Sequence, residues 1–147
     1  MEEKRLLELI EQYANVYLFA TKKLERVMVE KAMPISLEQF GILRVLDGKG
    51  AMTAKEIAKE TDVHKSAVTT KIARLEDRGF VERKEDSMDR RSMKITLTQE
   101  GQLVLDESKQ AMTAFIRPFF EELNEKELEG FLKVYEKLNE MLLKEDY

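Results

Sequence analysis

The stretch "TAKEIAKETDVHKSAVTTKIARLEDRG", residues 53–79, decides the fold. Thr53 followed three residues later by Glu56 spells a capping box, in which a hydroxyl and a carboxylate satisfy the free N–H groups at a helix start. The short helix "AKEIAKE" that follows turns Ile57 and Ala58 inward, and Thr61 and Asp62 break it. A second helix runs from about Lys65 to Arg78 with Val68, Ile72 and Leu75 on one face. Gly79 ends it, because a left-handed C-cap position is easiest for glycine. Two helices joined by a tight turn, with Ile57, Ala58, Val63, Val68, Ile72 and Leu75 as a small shared core, make a helix-turn-helix.

At about 100° per residue, the face opposite Val68, Ile72 and Leu75 carries Ser66, Thr69, Thr70, Ala73 and Arg74, flanked by Lys65, Ala67 and Lys71. That face is small, polar and basic. Hydroxyls and amines reach phosphates or base edges, and alanines let a helix backbone approach a major groove closely. Lys65, Ser66, Ala67, Thr69, Thr70, Lys71 and Arg74 are therefore the candidate DNA-binding residues of this helix. A solvated surface is the plain alternative, but threonine is a poor helix former, so its abundance at the helix start favours a functional reason.

Downstream, "FVERKE" and the alternating, β-branched run "KITLT" read as two strands, with "SMDRRS" at 87–92 as the tip between them. A hairpin after a helix-turn-helix is a wing. Arginines at its tip, Arg90 and Arg91, suit a narrow minor groove where the negative potential is deepest. Asp89 adds nothing to phosphate affinity by charge, but its carboxylate can hydrogen-bond a guanidinium or tip amides and fix the turn. An ordinary turn with an exposed ion pair, worth little, is the alternative for the tip taken alone.

Moving outward, residues 2 to about 31 read as one long helix, with Leu7, Ile10, Ala14, Tyr17, Leu24, Val27 and Met28 at mostly three-to-four spacing and Pro34 beyond its end. Ser36 and Gln39 form a capping box for a helix that Gly48 and Gly50 stop. Thr98 caps a long helix from Gln99 to about Arg117, which Pro118 bends or ends; Asn124 and Glu127 open a last helix with Leu128, Phe131, Tyr135, Leu138 and Leu142 at near-heptad spacing. The expected class is mainly α with a small β-hairpin: a winged helix-turn-helix at 36–99 between an N-terminal dimerisation helix at 1–35 and C-terminal dimerisation helices at 100–147. The apolar stripes of the terminal helices pack within one chain or on a second copy; their length and terminal position favour a homodimer.

The 147 residues suffice for one compact domain with helical extensions. No cysteine is present and His64 is the only histidine, which removes disulfides, thiolate chemistry and a His-rich metal centre. There is no glycine-rich phosphate loop, and the carboxylates sit at helix-surface spacing. No enzyme, metal or cofactor is expected. The N-terminus interleaves charge with leucine and is neither a signal peptide nor a membrane span, so a cytoplasmic location is the default. The net charge of −4 conceals an uneven distribution. Residues 65–94 hold nine Lys or Arg against six Asp or Glu, net +3, while residues 95–147 hold six against twelve, net −6. A local basic patch with acidic flanks is what a phosphate-binding face on a soluble protein requires. The acidic C-terminal third also motivates a rival reading, a helical scaffold that keeps the fold without binding DNA.

From about Ser36 to Gly101 the sequence resembles the MarR family of bacterial winged-helix regulators. The run "VTTKIARLEDRGFVERKEDSMDRRSMKITLTQEG" carries the likeness: the R-G-hydrophobic-V-x-R sequence after the helix, the D-x-R wing tip filled by Asp89 and Arg91, and the closing L-T-x-x-G. The resemblance implies a homodimeric transcriptional regulator, a repressor rather than an activator, that binds a pseudo-palindromic operator in double-stranded DNA. The 65–78 helices would enter successive major grooves and the wings adjacent minor grooves, with Arg91 in the groove or paired to Asp89 and Arg90 on a groove or phosphate. It also implies a site for a small aromatic or anionic ligand between the dimerisation helices and the winged region. Tyr13, Tyr17, Phe19, Phe40 and Arg44 are candidates for its lining, although aromatic residues at helical spacing are more often core. Lacking cysteine, the chain departs from the family's peroxide-sensing branch, and one histidine fits its zinc-sensing branch poorly.

Overall fold

The computed structural model describes residues 1–86, 88 and 92–145. In order along the chain these form α1 (Glu3–Val16), a π-helical turn (Tyr17–Thr21), α2 (Lys22–Lys31), α3 (Leu37–Lys49), α4 (Ala54–Thr61), α5 (Lys65–Asp77), β1 (Val81–Glu85), β2 (Met93–Leu97), α6 (Gln99–Glu121) and α7 (Glu125–Glu145). The class is mainly helical with one antiparallel hairpin, as the sequence predicts. Packing divides the chain into two compact units, Met1–Met112 and Thr113–Tyr147. Among the described residues no helix is long and apolar enough to cross a membrane.

Local signals explain the first unit. Ser36 caps α3 and Thr53 caps α4, each in a complete box with Gln39 and Glu56 respectively. The turn between α4 and α5 rests on Asp62, which adopts a left-handed conformation (φ 53°) while Val63 N–H bonds the Ala58 carbonyl. Gly79 does the same after α5 at φ 79°: its N–H bonds Glu76 and the Phe80 N–H reaches back to Leu75, the paired bonds of a Schellman ending. Ile42, Leu43, Ile57, Val68, Ile72, Leu75, Val81, Ile95 and Leu105 are buried to 2% exposure or less, so α3, α4, α5, the hairpin and the start of α6 share one core. Burial of these side chains is the main stabilising term, roughly 1.5–3 kcal/mol each before the entropy of ordering is charged against it.

In the hairpin, Val81 faces Leu97, Arg83 faces Ile95 and Glu85 faces Met93. Met52, in the extended segment before α4, adds an isolated bridge by exchanging both backbone hydrogen bonds with Ile95 (3.1 and 2.7 Å). The wing is thereby tied to the entry of the helix-turn-helix as well as to its exit.

Two expectations need correction. The single helix expected over residues 2–31 starts at Glu3, with Glu2 as an extended N-cap, and is interrupted by the π turn at Tyr17–Thr21, a local widening that hydrophobic spacing does not encode. The helix expected to finish near Arg117 continues through Pro118 to Glu121. Proline deprives the Ala114 carbonyl of its N–H donor; Ala114 is exposed, so water can take that place.

Candidate nucleic-acid interface

Helix α5 presents the face that the sequence singles out. Its buried ridge is Val68, Ile72 and Leu75. Lys65, Ser66, Thr69, Thr70 and Arg74 are exposed, and Ala67, Lys71 and Ala73 are half-buried. Ser66, Thr70 and Arg74 follow one another at i, i+4 spacing and so form one row along the outer surface. Lys65 and Arg74 make no ion pair among the described residues, which leaves both charges available to a polyanion.

Lys71 stands apart from that row. It lies beside Val68 in a groove of about 630 Å³ behind the helix, which Glu25 of α2, Glu38 and Arg44 of α3, and Glu60 of α4 also line. The groove therefore touches both the N-terminal helical segment and the back of α5.

The hydroxyls of α5 are not idle. Thr69 Oγ1 donates to the Lys65 carbonyl at 2.9 Å and Thr70 Oγ1 to the Ser66 carbonyl at 3.2 Å. His64 occupies the N-cap with extended dihedrals, and its Nδ1 lies 2.9 Å from Ser66 Oγ and 3.4 Å from Ser66 N. The backbone N–H of Ser66 donates to that same nitrogen. His64 was not among the sequence candidates. Histidine is not a standard capping type, so no sequence signal marks this role.

The strands carry cations that carboxylates neutralise: Arg83 pairs with Glu76 of α5 at 3.4 Å, Lys84 with Glu82 at 3.1 Å, and Lys94 with Glu56 at 3.3 Å. Arg78 stacks over the Phe80 ring, 4.7 Å from its centre. Glu56 Oε1 collects the Thr53 N–H, the Thr53 hydroxyl and the Lys94 ammonium. The Thr53 hydrogen bonds, first backbone then side chain, and then Lys94 hold its carboxyl below the ordinary value of 4.5. At the far end of the hairpin, Asp86 N–H donates to the Ser92 carbonyl at 3.0 Å, and the Met88 N–H donates to Asp86 Oδ1. Asp89, Arg90 and Arg91 lie outside the described residues.

The candidates for a ligand lining do not come together. Arg44 lines the groove and sits 5.6 Å from the centre of the Phe40 ring, but Phe40 itself is a core residue, 5% exposed. Tyr13 and Tyr17 stack on each other at 5.6 Å on an exposed face and are not among the residues of that groove. Phe19 borders a second depression, near Lys22, Lys23 and Arg26. Among the described residues no group of acidic or histidine side chains is placed to hold a metal.

A helix-turn-helix with a hairpin after its second helix, set among long helices, is the architecture of a winged-helix DNA-binding regulator, and comparison with known proteins specifies which kind. Residues 35–93 match the model of the MarR family. An uncharacterised HTH-type transcriptional regulator of Bacillus subtilis, YwhA, is 33% identical over 136 residues, which is 92% of this chain and 96% of the relative. The HTH-type transcriptional regulator TcaR of Staphylococcus aureus is 30% identical, with 90% and 88% covered. Among solved structures, a MepR-like protein complexed with pseudoligands superposes with a TM-score of 0.65 at 32% identity, over 92% of this chain and 94% of that one. The chain belongs to the MarR family of transcriptional regulators. It is a DNA-binding regulator and not an enzyme.

Proposed function

We propose that the protein acts as a homodimeric repressor on a pseudo-palindromic operator, with the α5 helices of two copies in successive major grooves and the two wings on adjacent minor grooves. The observation that carries this reading is the outer row of α5, where Ser66, Thr69, Thr70 and Arg74 are solvent-facing on a helix anchored by fully buried Val68, Ile72 and Leu75. Lys65, Ala67 and Lys71 flank the contact, and Arg90 and Arg91 with Asp89 form the minor-groove tip. Dimerisation through residues 1–35 and 100–147 accounts for the apolar side chains that both units leave exposed: Leu7, Ile10 and Phe19 in the first, Phe131, Leu138 and Leu142 in the second. Exposed apolar area on this scale marks an association surface. Repression requires only that an occupied operator exclude polymerase from an overlapping promoter.

Release by a small ligand is the second element of the proposal. The groove behind α5 supports it: a molecule seated between Arg44 and Lys71 would touch α3 and the reading helix together, and so favour one spacing of the two reading helices over another. The pseudoligand complex of the MepR-like relative points the same way.

Selection of random-sequence duplex DNA by the purified protein at moderate salt tests the core of this reading. The expected result is an enriched inverted repeat with half-site centres about 10 base pairs apart. A folded protein that retains no duplex even in dilute salt would establish the scaffold reading instead.

A further inference from the structure

The hydroxyl row of α5 has a polarity. A serine or threonine hydroxyl has one proton to donate and two lone pairs to accept with. On this helix the protons of both threonines are already committed within the chain: Thr69 to the Lys65 carbonyl and Thr70 to the Ser66 carbonyl. What each threonine hydroxyl turns outward is therefore a lone pair.

We infer that Thr69 and Thr70 meet DNA as hydrogen-bond acceptors, so that α5 selects amino bases, adenine and cytosine, on the strand it faces. This rests on the proposed role of α5 as the reading helix and specifies what that helix reads. In the major groove the only donors are the exocyclic amines, N6 of adenine and N4 of cytosine; guanine and thymine present acceptors at O6, N7 and O4. An amine meets an outward lone pair with nothing rearranged. A keto base sets acceptor against acceptor, and the contact forms only if the hydroxyl turns and gives up its internal bond. The donors of the interface come from elsewhere: Lys65 and Arg74, both exposed and free of ion pairs among the described residues. These reach phosphates or guanine.

The experiment takes the duplex enriched by selection and edits single atoms in it. Each adenine of a half-site is replaced in turn by purine, and each cytosine by 2-pyrimidinone, deleting the amine; parallel duplexes carry 7-deazaadenine or 7-deazaguanine, deleting the N7 acceptor. Binding by fluorescence anisotropy is compared for the wild-type protein and for Thr69→Val, Thr70→Val and Thr69→Ser, each checked for helicity by circular dichroism. At the positions under Thr69 and Thr70, amine deletion should weaken wild-type binding about three- to ten-fold, the worth of one net hydrogen bond. It should cost the matching valine variant nothing further, while Thr69→Ser restores wild-type behaviour and 7-deaza substitution there has no effect. Sensitivity to 7-deaza in place of amine deletion would mean that the hydroxyls donate, and valine variants of wild-type affinity would mean that they read nothing; either overturns the inference while leaving the proposed function standing. Failure to enrich any duplex removes both.

Discussion

The carbonyl oxygen of Phe80 lies where a β-carbon on Gly101 would have to go, with the Phe80 carbonyl carbon 2.9 Å and Leu97 Cδ2 3.2 Å from that same point. Helix α6 thus starts in direct backbone contact with the turn that leaves α5. Thr98 fastens the joint: its N–H bonds the Phe80 carbonyl, its hydroxyl donates to the Gly79 carbonyl at 2.5 Å, and the Gly101 N–H donates back to Thr98 Oγ1 at 3.0 Å. The L-T-x-x-G run is in physical terms a clamp that sets the wing between α5 and α6.

Gly101→Ala should accordingly destabilise the fold by roughly 1–3 kcal/mol, toward the upper end because the obstacle is backbone and not a flexible side chain. The urea midpoint should fall with unchanged slope. A midpoint equal to wild type would mean that α6 can move away from the wing without loss.

Asp62 holds the turn of the helix-turn-helix in a conformation that favours glycine. Asp62→Gly should stabilise the protein by roughly 0.5 kcal/mol, the left-handed penalty of about 1–2 kcal/mol less the extra chain entropy of glycine. Asp62→Val should destabilise it by more than that. Thermal unfolding of the pair reads both signs, and a loss of melting temperature in the glycine variant would show that the aspartate side chain, not the backbone, makes the turn.

What the sequence made legible follows from which signals are local. Capping boxes at Ser36 and Thr53, the glycine after α5 and the two-residue alternation of Lys94 to Thr98 each depend on a few neighbouring residues, and each produced the expected element. The polar face of α5 was legible for the same reason, since 3.6-residue periodicity places Ser66, Thr70 and Arg74 in one row. Features set by packing between distant segments were not. The Met52–Ile95 bridge, the Lys94–Glu56 contact and the approach of Gly101 to Phe80 join residues far apart in sequence. The π turn at Tyr17–Thr21 and the continuation through Pro118 are backbone adjustments that composition does not dictate.

Glu56 links the first turn of α4 to the wing strand through Lys94. Because the folded state holds this carboxyl below its ordinary 4.5, first through Thr53 and then through Lys94, its stabilising effect is present above that value and is lost as pH falls through the lowered folded value. Glu56→Gln should therefore be less stable than wild type at neutral pH, and the gap should close on acidification. Urea midpoints measured from pH 7 downward check this; a gap independent of pH would assign the effect to packing and not to charge.

Helix α7 exposes Phe131, Tyr135, Leu138 and Leu142 along one side, each at least 36% exposed, with Phe131 and Tyr135 ring centres 5.0 Å apart. If this face is buried in a dimer, truncation after Asn124 should leave a chain that sediments as a monomer at micromolar concentration and loses solubility. A truncated protein that remains a stable dimer would assign dimerisation to other elements.

Arg74 and Arg91 separate two kinds of contact by their salt dependence. Arg74 ends the exposed row of α5 without an ion pair among the described residues, and Arg91 fills the last position of the D-x-R wing motif. Each charge that neutralises a phosphate adds about 0.9 to the slope of log affinity against log salt. If Arg74 contacts a phosphate, Arg74→Ala should lower that slope by about one and weaken operator and random duplex alike. If Arg91 enters a narrow minor groove, Arg91→Ala should cost operator binding more when the flanks are A-T rich than when they are G-C rich, because groove width differs between them. Arg74→Ala should unfold at the wild-type midpoint, since an exposed side chain of this kind contributes little to stability. Equal losses on both flanking sequences would reduce the wing to a phosphate clamp, and unchanged affinity would remove it from the interface.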